Sequence, residues 1–424
     1  MKQAALSMDN LREAVLRMPD NGLTATRRAA LAKIGRSGLP SVRDENFKYT
    51  DLRPAIDISN RWLIDGAKES VADVQRDAIQ TICSSIDANW LVVANGLINL
   101  TGFDATADIE VQRFSETTAP EFADHPLADL NAALLQDGLR VHIHGATEKP
   151  LGILVIDEAN AAVGVCQANI DIEVASGCDV EIVEYHHSFG EGDHYSNSVI
   201  GLQIDQAAHV NYVRIQDRRL THVQTSRLSA SLGEDSRLDM SGYDIGGGLI
   251  RNDVDIDISN PGAEVEFNGL YLAGDGQHID NHTRVDHRAG PAKSSQEYRG
   301  ILNGRCRCVW NGKAIVHQGA DGTDANQANH NLLLSEHAEI DAKPELEIYA
   351  DEVKCSHGTT VGQLDETALF YLRSRGMDKQ QAIQMLTHAF AADLVGRAPV
   401  AAAKARVTSL VERRLGDLIQ AQAQ

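Results

Sequence analysis

Gly177-Cys178-Asp179-Val180, Ala208-His209-Val210, Ser236-Arg237-Leu238 and Ala263-Glu264-Val265 are four versions of one phrase: a small residue, a polar residue, an apolar anchor. The anchors at 180, 210, 238 and 265 stand 30, 28 and 27 residues apart. Each phrase opens a run of period two, as in Val180-Glu181-Ile182, Leu238-Asp239-Met240 and Val265-Glu266-Phe267. Such alternation turns one side of a strand into a core and leaves the other differently packed. Between successive anchors lies a further strand candidate, such as Val199–Ile204 or Val254–Ile258. Two strands per repeat, each repeat stacked on the last, is what a parallel β-helix requires, because one repeat cannot bury its own apolar face. A meandering β-sandwich also spaces short strands regularly; recurrence of the phrase itself favours the solenoid.

Outward from this stretch the chain divides into three zones. Residues 1–135 read as a helical and mixed region, with helices at Asp9–Met18 and Thr24–Ile34, a break at Gly38-Leu39-Pro40 and a short strand at Leu91–Val93 entering an Asn95-Gly96 turn. Residues 136–362 carry the alternating runs and form the expected β core. Residues 363–424 turn helical. Asp365 can cap a helix holding Leu369, Phe370 and Leu372, and Asp378 with Gln381 forms a capping box. The helix after that box places Ala382, Met385, Leu386, Ala389 and Phe390 on one face; Ala401–Ile419 supplies a last one striped with Val407, Leu410, Val411 and Leu415. The fold class is mainly β with helical ends.

Composition narrows the functions. Hydrophobic content of 43% with 23% charged residues fits a folded globular chain. Against 60 Asp and Glu stand 39 Lys and Arg, a formal charge of -21, which repels phosphate backbones and argues against nucleic acid. No apolar run reaches the roughly 20 residues that span a bilayer, and the first thirty residues have no signal-type apolar segment. Six dispersed cysteines without a CxxC read as reduced thiols. A cytoplasmic protein is expected.

The chain has no P-loop, Gly-x-Gly-x-x-Gly, His-Glu-x-x-His or Gly-x-Ser-x-Gly motif, so any ATP chemistry must come from a partner. His278-Ile279-Asp280-Asn281-His282 with Asp286-His287 has ligand-type residues at close spacing, but a solvated polar loop explains it more simply, and no site is assigned there. Cys306 and Cys308 share one side of a strand, about 6.6 Å apart by strand rise, and read as two core thiols. Cys355-Ser356-His357-Gly358 follows the strand-like Glu345–Ala350 and an acidic Asp351-Glu352. Thiolate and neutral imidazole both ligate iron. They share a face only if the strand continues; a bend at Ser356 would separate them, and a structural cysteine beside a surface histidine fits equally well. One Cys and one His cannot hold a cluster alone, so a second chain would complete the coordination.

From Trp310 onward the sequence resembles the SufB/SufD family of iron–sulfur cluster-assembly scaffolds, its SufD branch more closely. The resemblance is carried by Asn311-Gly312-Lys313, Asp324–Gln327, Asn331–Ser335, Lys343–Ala350, Asp351–Gly358, Thr360–Gly362 and Leu369–Gly376, and by Glu45–Thr50, where Phe47 stands in place of the usual Trp. It implies a right-handed parallel β-helix between a helical N-terminal region and a C-terminal helical domain. It implies pairing with a SufB-like scaffold subunit through the β-helix ends, and binding of a SufC-like ABC-type ATPase by the C-terminal helices. It also implies no turnover by this chain and no permanent cofactor. A transient iron or iron–sulfur cluster would sit at the joint, where His357 inherits the interface role and Cys355 carries less weight; isolated chains would be free to homodimerise. Two alternatives stay open: a SufB-like primary sulfur acceptor, and a β-helix polysaccharide hydrolase or lyase, which needs paired carboxylates or a calcium groove.

Overall fold

The computed structural model describes residues 5–64, 74–117, 125–159 and 163–421; 65–73 and 118–124 of the N-terminal zone lie outside them. Strands dominate. From Leu139 onward, successive strands alternate between two sheets, so that each strand pairs in parallel with the strand two places ahead. This is a β-solenoid. The four sequence anchors meet: Val180 pairs with Val210, Val210 with Leu238, and Leu238 with Val265. The column continues through Ser294 and Ala325 to Cys355.

Alternation then sorts every side chain. Val180, Ile182, Val210, Tyr212, Leu238 and Phe267 fill the space between the sheets. Neighbours of the opposite parity on each strand, such as Val183, Tyr185, Val213 and Leu270, face outward from the first sheet, where the C-terminal helices cover them. Val407, Leu410, Val411 and Leu415 form that covering stripe, each 2% exposed or less. The capping box at Asp378 and Gln381 forms as expected. The face of that helix does not: it buries Ala382, Ile383, Thr387, Ala391, Leu394 and Val395, while Met385 and Ala389 lie exposed. The solenoid wall, not the apolar count along the helix, selects the buried side.

The two ends of the solenoid are finished differently. At the first coils, Leu97–Asn99 closes the edge of Asn89–Ala94 antiparallel, and Ile109–Arg113 does the same for Leu139–Ile143. Helices Met8–Arg17, Thr24–Ser37, Arg53–Ile64 and Pro126–Leu134 bury Val165, Tyr195, Val223 and Leu249 at the start of the second sheet's strands. The last coil, Glu339–Ile348 and Lys354–Gly362, ends both sheets.

A strap from the N-terminal zone crosses the second sheet. Arg251 donates to the Asn46 carbonyl at 2.9 Å and lies over the Phe47 ring. Thr50 bonds His278 and Asp280, Arg307 stacks on Tyr49, and Lys343 pairs with Glu45 at 2.9 Å. Four successive coils are thereby tied to the segment Glu45–Thr50. The stretch His278–His287 is a strand, not the solvated loop expected from its polarity. Asp280 is fully buried there between Arg251 and His282. Ladder hydrogen bonds satisfy the backbone, and the strap supplies Thr50 to His278 and Asp280.

Burial alone would raise the Asp253 and Asp280 carboxyls, but the charge of Arg251 overrides it, holding Asp253 at about 2 and Asp280 below the usual carboxylate range. Stability from these pairs is therefore complete above the unfolded value of about 4 and lost as pH falls through the folded values. Asp280→Ala should cost about 3–5 kcal/mol at neutral pH, because it leaves part of a buried guanidinium charge unmatched. It should also flatten the acid loss of stability, read as urea midpoints between pH 7 and 3. Unchanged midpoints would remove the strap from the account.

Candidate functional site

The Cys355 strand continues without a bend through Ser356. Cys355 pairs with Ala325 and His357 with Gln327, so both stand on the side that faces the solenoid interior, and Ser356 faces away to bond Asn326 at 2.6 Å. The sequence had left that point open. Cys355 is half-buried and His357 exposed, because this is the terminal coil and no further rung covers it among the described residues.

Below His357 the interior column changes character. In earlier coils the position holds Ile182, Tyr212, Met240 and Phe267; in the last three it holds Gln296, Gln327 and His357. Gln296 receives a hydrogen bond from Thr283 at 2.6 Å. Gln327 is 3% exposed, and neither its amide oxygen nor its nitrogen has a hydrogen-bond partner among the described residues. An unsatisfied buried amide is costly, and the rung paired directly beyond Gln327 is the one carrying His357. Gln327 lay inside the segment that carried the resemblance, yet only the pairing register reveals it as the neighbour of His357.

The rim around these residues is apolar and bare. Ile348, Tyr349 and Val361 are 43%, 62% and 53% exposed. The outer edges of Glu339–Ile348 and Lys354–Gly362 have no strand partner among the described residues, and such edges are templates for pairing with another chain. Helix Glu366–Ser374, capped by Asp365 as expected, buries no residue and leaves Phe370 73% exposed. In the groove on the second sheet, Asp171, Asp255, Asp257 and Asp286 are each matched to an arginine.

Cys306 and Cys308 are buried free thiols of the interior cluster, as read from sequence. A separate group was missed. Asp157, Cys166 and His194 converge near the opposite end of the solenoid, their donor atoms within 4.8 Å of one another. The signal was present: Cys166 and His194 stand 28 residues apart, one coil of the repeat.

The described chain is thus a helix-flanked β-solenoid whose final rung carries Cys355 and His357 on its inner side. Residues 155–390 match the family described as SUF system FeS cluster assembly, SufBD core domain. The chain is 29% identical to the iron–sulfur cluster assembly protein SufD of Escherichia coli, with 91% of each chain covered. It is equally identical to an iron–sulfur cluster assembly SufBD family protein of Mycobacterium leprae, over 89% of this chain and 91% of that one. SufD of Bacillus subtilis is 26% identical over 72% of this chain and 70% of its own. The chain belongs to the SufBD family of iron–sulfur cluster assembly proteins. The match begins at residue 155, far ahead of Trp310, where the resemblance became readable residue by residue. No helix among the described residues is long and apolar enough to cross a membrane.

Burial pushes the Cys355 thiol up from its ordinary value, and Asp324 adds to this; burial pushes Cys83 up to about 11. Neither is a ready thiolate at neutral pH. Iodoacetamide should modify native Cys355 slowly at pH 7, faster as pH rises, and ahead of Cys83, while the four buried thiols stay protected. Peptide mapping by mass spectrometry checks this; rapid labelling of Cys355 at pH 7 would contradict it.

Proposed function

We propose that this chain is a scaffold subunit without turnover of its own, completed at its open coil by a SufB-like subunit, with His357 donated to an iron or nascent-cluster site at the joint. The observation that carries the reading is the asymmetry of the solenoid. The first coils are closed by antiparallel strands and helices, whereas the last coil is left with bare edges and an inward-facing Cys355 and His357. Repeat proteins need their ends finished, since each end exposes the apolar face a neighbour would bury. Here a partner's strand edge would supply the next rung, over His357.

The imidazole suits iron as a neutral donor. One histidine cannot hold a cluster, so the partner chain supplies the remaining ligands and the cluster passes through as cargo. Cys355 lies one inward position away, about 6.6 Å by strand rise, and its raised thiol fits a secondary ligand better than a primary sulfur acceptor. The exposed Phe370 and Tyr371 of helix Glu366–Ser374 suit the dock for a SufC-like ABC-type ATPase, which provides the work this chain has no motif to perform.

In a complex co-expressed with both partners, His357→Ala should abolish cluster build-up, read from visible absorbance and from iron and sulfide content, while the subunits still co-purify. Cys355→Ser should reduce cluster content less. Normal cluster content in the His357 variant would sink the assignment. Phe370→Ser with Tyr371→Ser should release the ATPase and leave the scaffold pair together; ATPase retention would move its dock elsewhere.

A further inference from the structure

Away from the open coil, at the corner where the earliest coils pass from one sheet to the other, three strands bring one donor each to a common point. Asp157 comes from Leu151–Ala159, Cys166 from Gly164–Val174 and His194 from His194–Ile204. The Cys166 sulfur lies 3.4 Å from His194 Nε2, and all three donor atoms fall within 4.8 Å of one another. Donors around a tetrahedral zinc ion, at about 2.0–2.3 Å from the metal, stand about 3.5 Å apart. We propose that Asp157, Cys166 and His194 form a resident site for one divalent transition-metal ion of the zinc type, independent of the open-coil site.

Three observations support this beyond proximity. First, Asp157 is fully buried and His194 is 1% exposed, yet Asp157 Oδ1 has no hydrogen-bond partner among the described residues. Buried polar atoms rarely go unpaired without a reason. Second, the surroundings orient the donors as outer-shell groups do in metal sites. Arg218 holds the other Asp157 oxygen at 2.5 Å and is itself fixed by Ser196, Gln224 and the His187 carbonyl. The His194 ring lies over Gly164, where an added Cβ would come within 2.5 Å of its Cδ2. Third, His222 is buried beside His194, ring centroids 5.4 Å apart, with Nδ1 bonded to Ser188 and Nε2 unpartnered. It places a second buried imidazole beside the three donors.

Burial, only partly offset by Asp157, pushes His194 down to about 4, so its imidazole is neutral at pH 7 and gives up no proton on binding. Burial and the Asp157 charge hold Cys166 as a thiol. Binding therefore exchanges one proton for the ion: the S–H bond breaks, a sulfur–metal bond forms, and the proton leaves to solvent. Because Arg218 neutralises Asp157, the thiolate carries the net ligand charge, which favours a thiolate-seeking zinc-type ion over Mg²⁺ or Ca²⁺.

The test uses the whole purified chain, stripped of metal and titrated with Co²⁺. One equivalent should bind with a thiolate-to-cobalt charge-transfer band in the near ultraviolet, and Zn²⁺ should bleach it. Cys166→Ser should lose the band and His194→Ala should weaken or lose it, whereas Cys306→Ser should keep it. Where a variant fails to fold, X-ray absorption of zinc-loaded wild-type protein should show one sulfur with nitrogen and oxygen neighbours. Absence of stoichiometric binding, a band that survives Cys166→Ser, or a two-sulfur shell pointing to Cys306 and Cys308 would each overturn the proposal.

Discussion

Parallel pairing of each strand with the strand one coil ahead is the constraint on which the rest depends. It fixes the column Val180, Val210, Leu238, Val265, Ser294, Ala325 and Cys355, and with it the direction of every side chain between. A slip of one residue would exchange the inward and outward sets. The interior would then receive Glu181 and Asn211, and the helices would lose Val183 and Val213. Register is thus held by apolar burial on both sides of the first sheet at once, each buried aliphatic or aromatic side chain contributing about 1.5–3 kcal/mol. The same register delivers Cys355 and His357 to one face at the final rung.

Parallel stacking has no internal reason to stop, so its ends carry the information. The N-terminal zone closes one end with antiparallel strands and helices, and then reaches along the wall: Glu45–Thr50 binds Arg251, His278, Asp280, Arg307 and Lys343 on four consecutive coils. Because Lys343 lies on the last coil, that coil is held in place without being covered. On the proposed function, a coil tied down in this way is pre-organised for a partner, which reduces the ordering cost of association. The C-terminal helices divide their work similarly. The long one and its neighbour bury their stripes on the wall, and Glu366–Ser374 keeps Phe370 and Tyr371 for something else.

Most of the architecture was legible because it rests on a period. The anchors at 180, 210, 238 and 265 form the ladder that their spacing implied, and the caps at Asp365 and Asp378 are local chemistry read directly from residue type. What resisted reading was everything decided by contacts distant in the chain. Asp280 looked like loop polarity because its partners, Arg251 and Thr50, lie outside the stretch in sequence. The buried face of Lys379–Gly396 was misjudged because an apolar count cannot know which side meets Tyr243 and Leu270. Whether Ser356 bends could be decided only by its pairing with Asn326. Asp157, Cys166 and His194 were invisible for the same reason: a corner brings them together, and the sequence holds them 9 and 28 residues apart.

The central claim is that the last coil is an unfinished rung awaiting another chain. Amide hydrogen exchange across residues 339–362, compared between the isolated chain and its complex with a SufB-like subunit, tests it most directly. The account predicts that edge amides of Lys354–Gly362 and Glu339–Ile348 exchange rapidly alone and become strongly protected in the complex, with the first coils unchanged. Protection that leaves 339–362 exchanging freely, and falls instead on the first coils or the arginine-lined groove, would contradict it.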